Sequence, residues 1–376
     1  FLDNNATKRL DLAKALADKY PNGPRAWMRL GFSQSTVNQH EAARKAFTKA
    51  LELSPNLTGA HFALAFSYLF NEPKNFDKAE EHMRHCIRLE PAEAKGYEGL
   101  GDVLRAKNEL EKAREAYTQA TEKDPALAVA HLKKGHINSF LGRFQEARVD
   151  YDKGISGAEE VNKINYANFK AFTYVHQGEP QTAVRELHKL ATSADSLTIP
   201  KDQTDAIKLA TLTNEVTVAL HHNLFKEAEQ SLHEIWKATE ETNQRVADPD
   251  FTRQQNANLL LLEGQLAARK GDYATARSKA EESRKLVESD SSPRKFEGYY
   301  GLLPMVELLQ KNHAKAVELY KKADLTNIYV QYQLGLAYEG AGNTAEAKKL
   351  FREVSRWNFN TVTFALVRKD ALRRAS

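Results

Sequence analysis

The sequence predicts an all-α protein built as a solenoid of repeated helix hairpins. Of its 376 residues, 41% are hydrophobic and 28% are charged, and runs of β-branched residues are scarce, which favours helix over strand. The stretch GYEGLGDVLRAKNELEKAREAYTQATEKDP at residues 96–125 recurs along the chain. The prolines that close successive copies, Pro55, Pro91 and Pro125, lie about 34 to 36 residues apart. Such an array displays a long surface and does not enclose a single core.

The recurring unit has a fixed pattern of large and small residues. Seven positions of one copy reappear with the same spacing in another: Trp27, Leu30, Gly31, Ala43, Phe47, Ala50 and Pro55 against Tyr97, Leu100, Gly101, Ala113, Tyr117, Ala120 and Pro125. The small residues mark the places where two helices cross closely, and the large ones fill the space beside them. This pattern resembles the tetratricopeptide repeat (TPR), which implies a right-handed α-solenoid of antiparallel helix pairs.

An alanine of the second helix sets the register of about nine TPR-like hairpins: Ala43, Ala79, Ala113, Ala147, Ala183, Ala228, Ala276, Ala316 and Ala347. We divide the chain accordingly into an N-terminal helix or half repeat (1–22), five regular units (23–191), four degenerate units with longer connections (192–357) and a C-terminal capping helix (358–376). Glycines at 142, 178, 271 and 342 are expected in left-handed turns. Pro304 is expected to kink or break a first helix.

Composition and motifs point away from catalysis. The net charge of +4 has both signs interleaved, so no nucleic-acid footprint is predicted. No apolar run approaches the roughly 20 residues of a membrane span. No phosphate loop, nucleophile elbow or metal motif is present, and we predict no enzyme, no cofactor and no metal. His82 and His85 share a helix face but lack further ligands. The single cysteine, Cys86, occupies a small-residue core position.

The TPR resemblance implies that the first helix of each unit lines a concave groove. The positions predicted to face the groove and bind a partner are Met28, Phe32, Phe62, Phe66, Phe70, Arg105, His136, Phe140, Asn168, Phe172, His176 and His221. Family members that hold acidic chaperone tails use Lys and Asn at set positions, where this chain has Met28, Phe32 and Ala63. The aromatic groove therefore predicts a protein-interaction scaffold that binds an extended or helical peptide or a partner subunit.

Two alternatives stay open at this stage. The chain is a small-molecule or glycan-binding protein of the bacterial envelope if a closed cavity surrounds Phe140, Phe172 and His176. A long open trough favours the scaffold instead. The groove is also self-filled if loops of the same chain cover it. The overall pattern is similar to that of bacterial TPR proteins, many of them exported to the envelope, which favours an envelope location. A cytoplasmic location and any oligomeric state are also compatible with it.

Overall fold

The structure, a computed structural model, describes residues 2–376, in which every α-helix belongs to an all-α repeat solenoid. These residues form two compact units, an N-terminal unit that ends at Leu141 and a C-terminal unit, Gly142–Ser376. The helices of the N-terminal unit are α1 (Leu2–Lys19), α2 (Pro24–Thr36), α3 (His40–Leu53), α4 (Thr58–Phe70), α5 (Phe76–Leu89), α6 (Ala94–Ala106), α7 (Leu110–Lys123) and α8 (Ala128–Phe140).

The C-terminal unit contains the remaining helices. They are α9 (Phe144–Ser156), α10 (Glu160–Gln177), α11 (Pro180–Ser193), α12 (Lys201–His221), α13 (Phe225–Val246), α14 (Pro249–Arg269), α15 (Tyr273–Leu286), α16 (Glu297–Leu309), α17 (His313–Tyr320), α18 (Ile328–Gly340), α19 (Thr344–Ser355) and α20 (Val362–Ala375). A 3-10 turn covers Ala194–Ser196. The compact units divide at Leu141, whereas the sequence changes from regular to degenerate units near residue 191.

The alanine register is confirmed by helix assignment and burial. All nine predicted alanines lie on odd-numbered helices from α3 to α19, and each is at most 1% exposed. The small residues of the first helices are equally constrained. A Cβ added to Gly31 would lie 2.5 Å from Phe47 Cε1, and one added to Gly101 would lie 2.5 Å from Tyr117 Cε1. The two helices of these hairpins therefore cross so closely that only glycine fits without displacing a buried ring.

The turns inside the hairpins follow the predicted chemistry and extend it. Gly142, Gly178, Gly271 and Gly342 have φ values of 77°, 89°, 87° and 83°. Four of the five units without that glycine place another residue in the left-handed region: Asn38, Asn108, Asn223 and Lys311. Asparagine tolerates this conformation better than most side chains, which explains how three units dispense with glycine.

The degenerate units differ from the regular ones in helix length. Helices α12, α13 and α14 have 21, 22 and 21 residues, against 13 or 14 in α2 to α9. Most of the polar stretch at 239–254 belongs to α13 and α14. The interruption predicted at Pro304 is not a break, because α16 runs from Glu297 to Leu309 with Pro304 inside it. A proline removes only one helical hydrogen bond, and here Pro304 itself is buried by packing.

Helix α20 does more than close the end of the array. It packs against α19, as a cap would, and also against α10, α12 and α18, which are first helices of their units. Its buried side chains are Val362, Phe364, Ala365, Val367 and Ala371. The predicted capping helix therefore covers part of the first-helix face of the C-terminal unit. Within residues 2–376, no helix has the length and hydrophobicity to cross a membrane.

Candidate functional site

A cavity of about 630 Å³ opens on the first-helix face of the N-terminal unit. Its aromatic walls come from three helices: Phe32 of α2, Phe47 of α3 and Phe62, Phe66 and Phe70 of α4. Phe32 and Phe70 are 49% and 51% exposed, and Phe62 and Phe66 are half-buried. We call this cavity the phenylalanine groove. Four of the twelve predicted partner-binding residues are thus brought together in one exposed apolar site.

The groove owes its shape to the helical spacing of α4. Phe62, Phe66 and Phe70 recur every four residues and therefore form one stripe along the helix. Their ring centroids are 4.9 Å and 5.5 Å apart along the stripe. The opposite face of α4 carries Ala60 and Leu64, which are buried in the unit. An apolar stripe on both faces is unusual for a helix that needs only one face to pack.

Small residues lie beside the aromatic stripe. Gly59, Ala63 and Gly96 line the groove, and their short side chains leave the space that the rings enclose. Met28 is adjacent, since a Cβ added to Gly59 would lie 3.0 Å from Met28 Cε. Ala63 was expected at a groove position, whereas Gly59 and Gly96 were not predicted to line a cavity. Their spacing contained no separate signal, because small residues also mark helix crossings throughout the repeat.

One end of the groove is acidic. Glu90 and Glu93 line it together with Lys95. Glu90 accepts a hydrogen bond of 2.7 Å from the Thr58 hydroxyl at the start of α4, so the carboxylates lie at the Phe62 end of the stripe. Two carboxylates against one ammonium group give this end a net negative charge.

The charged residues of α6 next to the groove form a closed network. The Lys133 ammonium group contacts the carboxylates of Glu98 and Asp102, the latter at 2.6 Å. Asp102 is 3% exposed and also accepts a 2.8 Å hydrogen bond from the Tyr117 hydroxyl. Arg105, a predicted groove residue, lies 3.4 Å from Asp102 and is largely buried. These groups neutralise one another and hold α6 to α7 and α8, so the apolar groove ends at a paired polar surface.

Three histidines lie behind the groove, between α4 and α5. His61 Nε2 lies 3.0 Å from the Pro55 carbonyl and His61 Nδ1 lies 3.0 Å from His82 Nδ1. Because a carbonyl only accepts, His61 Nε2 carries the proton, and His82 Nδ1 must donate to His61 Nδ1. His85 stacks on His61 with ring centroids 4.7 Å apart. The third histidine was not predicted, and within residues 2–376 no cluster of three or more His, Cys, Asp or Glu side chains could hold a metal ion.

The histidine pair predicts a pH-dependent stability. Burial is the main cause that lowers the pKa of His82 to about 4 and also lowers the pKa of His61. The neutral ring is therefore favoured in the folded chain, and its stabilising contribution is complete above the unfolded pKa of about 6.5 and is lost as pH falls towards 4. Since His82 is partly solvated, we expect about 1 kcal/mol to be lost between pH 7.5 and 5.0.

Urea unfolding of the chain and of a His82→Gln variant at both pH values measures this loss. Glutamine retains a donor towards His61 but does not titrate. The variant should lose less stability than the native chain between pH 7.5 and 5.0. The difference between the two losses is the contribution of His82, separate from that of the other histidines. Equal losses in the two proteins would contradict a role for His82 in the pH dependence.

Cys86 also lines the groove but is not a reactive group. Its side chain is 2% exposed and its Sγ lies 3.6 Å from the Thr58 carbonyl oxygen. Burial, with a smaller contribution from Glu90, raises the pKa of the thiol to about 11. The protonated thiol is a poor nucleophile at neutral pH, in agreement with the buried small side chain expected from the sequence.

Four other predicted partner-binding residues are buried. His136 and Phe140 are 8% and 5% exposed in the N-terminal unit. Asn168 and Phe172 are 5% and 3% exposed in the C-terminal unit. Asn168 donates a 3.0 Å hydrogen bond to Thr211, and Phe172 belongs to a core cluster. In this structure these four side chains do not form an open surface.

His176 and His221 are occupied by later parts of the chain. His176 Nε2 lies 2.9 Å from the side-chain oxygen of Asn360, and its ring contacts Phe364 edge-on at 6.2 Å. His221 Nδ1 lies 2.8 Å from the Tyr329 hydroxyl. Burial lowers the pKa of His176 to about 4 and that of His221 to about 3, so both are neutral hydrogen-bonding groups. The space that a small ligand would need beside His176 is filled by α20 and the segment before it.

Asn360 is a further residue of this contact, and no sequence motif pointed to it. Its side-chain oxygen accepts a hydrogen bond from His176 Nε2, and its amide nitrogen donates a 2.9 Å hydrogen bond to the Tyr151 hydroxyl. It is 3% exposed. An asparagine in a short polar connection is typical of a turn, and only the fold shows that it joins α9, α10 and the segment before α20.

Comparisons with known proteins agree with the repeat assignment. Models of the tetratricopeptide repeat match residues 24–57, 87–139 and 329–356. The UDP-N-acetylglucosamine–peptide N-acetylglucosaminyltransferase of Giardia intestinalis is 28% identical over 163 residues, which are 43% of this chain and 10% of that protein. The small glutamine-rich tetratricopeptide repeat-containing protein 2 of Mycosarcoma maydis is 32% identical over 107 residues, 28% of this chain and 29% of that protein.

Among solved structures, a tetratricopeptide repeat protein from Parabacteroides merdae aligns with a TM-score of 0.47 and 15% identity, covering 74% of this chain and 98% of that one. The chain spans less than a third of the length of either curated relative above. The segments matched by family models include the first and last of the nine units, and the buried alanines carry the same register through the units between them. Three segments of the chain match tetratricopeptide-repeat models, and the register that joins them is that of a multi-repeat TPR protein.

Proposed function

We propose that the chain is a non-catalytic protein-interaction scaffold whose N-terminal unit binds a peptide segment of a partner protein in the phenylalanine groove. The observation that carries this proposal is the exposed aromatic cavity of about 630 Å³ on the first-helix face. TPR proteins are in general protein-binding scaffolds, which supports a protein as the class of partner.

Burial of the aromatic surface supplies the affinity in this proposal. Phe32 and Phe70 each leave about half of their side chain in water, with Phe62 and Phe66 between them. Contiguous exposed apolar patches of this kind are typical of interaction sites, because covering them gains about 25 cal/mol per Å² of apolar surface. A few large anchors in a desolvated groove usually account for most of the binding energy of an interface.

The test is a selection of displayed peptides against the full chain, followed by affinity measurement against a Phe32→Glu, Phe70→Glu double variant. Both side chains are half-exposed, so the substitutions should disturb folding little. We expect the selected peptides to bind the double variant at least about tenfold more weakly, because a buried carboxylate without a partner opposes apolar contact.

Trp236→Glu is the matched control, since Trp236 is 48% exposed but lies on α13 of the other unit. This variant should bind the selected peptides as the native chain does. Circular dichroism of all three proteins checks that helicity is unchanged. If the double variant retains the native affinity, the phenylalanine groove is not the binding site and the proposal fails.

A further inference from the structure

The direction of the aromatic stripe constrains the ligand. Phe62, Phe66 and Phe70 follow the axis of a single helix over eight residues, which corresponds to about 12 Å. The first helix of the next unit does not continue the stripe, because its groove-facing side bears Lys95 and the paired Glu98 and Asp102. A ligand that buries all three rings must therefore run along α4 and not across successive units.

The spacing of the rings matches a helical ligand better than an extended one. Adjacent rings of the stripe are 4.9 Å and 5.5 Å apart. Side chains on one face of an α-helix recur every three or four residues, which is about 4.5 to 6 Å along its axis. Side chains on one face of an extended strand recur at about 6.6 Å, so their spacing does not match the spacing of the rings along the stripe. Two helices pack when the row of side chains on one helix fits between the rows of the other.

The C-terminal unit contains an example of the same packing. Helix α20 covers the first-helix face formed by α10, α12 and α18. It does so with Phe364, Val367 and Ala371, which are spaced by three and four residues and are all 0% exposed. A first-helix face of this chain thus accepts an amphipathic helix with an aromatic anchor.

Resting on the proposed function, we propose that the ligand of the phenylalanine groove is an amphipathic α-helix that lies along α4, with apolar residues at positions i, i+4 and i+8 and a basic residue at the end that meets Glu90 and Glu93. The two carboxylates at the Phe62 end select the basic residue. The small residues Gly59, Ala63 and Gly96 leave room for the ligand backbone to approach.

The experiment selects binders of the full chain from one displayed library of 16-residue peptides. The library consists of two sets of peptides, called its halves, that have the same amino-acid composition. One half has leucine or phenylalanine at i, i+4 and i+8, and the other has them at i, i+2 and i+4. We expect the helical half to supply the binders that lose at least tenfold in affinity on Phe70→Glu. Proline at a central, outward-facing position of such a binder should weaken it at least tenfold, because proline breaks the helix.

The acidic end is tested with Glu93→Lys, an exposed position at the end of the groove. This variant should bind a peptide with a terminal lysine at least about threefold more weakly, and replacing that lysine by glutamate should restore the affinity. Binders drawn mainly from the alternating half, or insensitive to proline, overturn the helical ligand and leave the proposed function standing if they still depend on Phe70. Absence of any binder that depends on Phe70 overturns both.

Discussion

Replacing Phe364 by alanine is expected to lower the free energy of unfolding of the C-terminal unit by about 3 to 5 kcal/mol. Phe364 is 0% exposed on α20 and contacts the His176 ring edge-on at 6.2 Å. The same helix contributes Val362 and Ala365 to the core cluster that contains Phe172. Truncation removes the ring and leaves a cavity at the point where α20 meets the first-helix face, and a packed array collapses only partly around such a cavity.

Hydrogen exchange of the α20 amides, together with urea unfolding, measures this loss. Exchange is needed because an array with two compact units need not unfold in one step. Leu372→Ala is the matched control on the same helix, since Leu372 is 44% exposed and should cost less than about 0.5 kcal/mol. A loss from Phe364→Ala no larger than that of the control would show that α20 does not hold the unit together.

Replacing Asp102 by alanine should destabilise the N-terminal unit by about 3 to 5 kcal/mol. The Asp102 carboxylate is 3% exposed and bonds to the Tyr117 hydroxyl at 2.8 Å and the Lys133 ammonium group at 2.6 Å. Its removal leaves a buried hydroxyl and a largely buried ammonium group with fewer acceptors. The cost of an uncompensated buried charge exceeds the value of the pair itself.

A second substitution separates the stranded charge from the lost packing. In Asp102→Leu, Lys133→Met both charges are replaced by apolar side chains, and a large part of the stability should return. Urea unfolding of Asp102→Leu, of Lys133→Met and of the double variant gives the coupling free energy between the two residues. If Asp102→Ala loses less than about 1 kcal/mol, or if the double variant is no more stable than Asp102→Ala, the network does not stabilise the unit as described.

The sequence was sufficient for the repeat register because the signals are local and recur. Gly31 and Gly101 indicated helix crossings from spacing alone, and each lies against a buried ring of the next helix. The stripe of Phe62, Phe66 and Phe70 was readable in the same way, since a period of four residues places side chains on one face of any helix. Pro304 was predicted less well, because a local rule about proline does not include the packing that surrounds it.

The exposure of the groove residues depended on contacts distant in sequence. Phe62 and Phe66 stay in an open cavity, whereas Phe172 and His176 are covered, although both pairs lie on first helices. The difference arises because Asn360, 184 residues away in the sequence, bonds to His176, and α20, which follows Asn360, packs against α10. The sequence by itself determined the helices, their pairing and which residues face along each first helix. Only the tertiary structure decided which of those faces remain open, because coverage is set by segments that no local period connects.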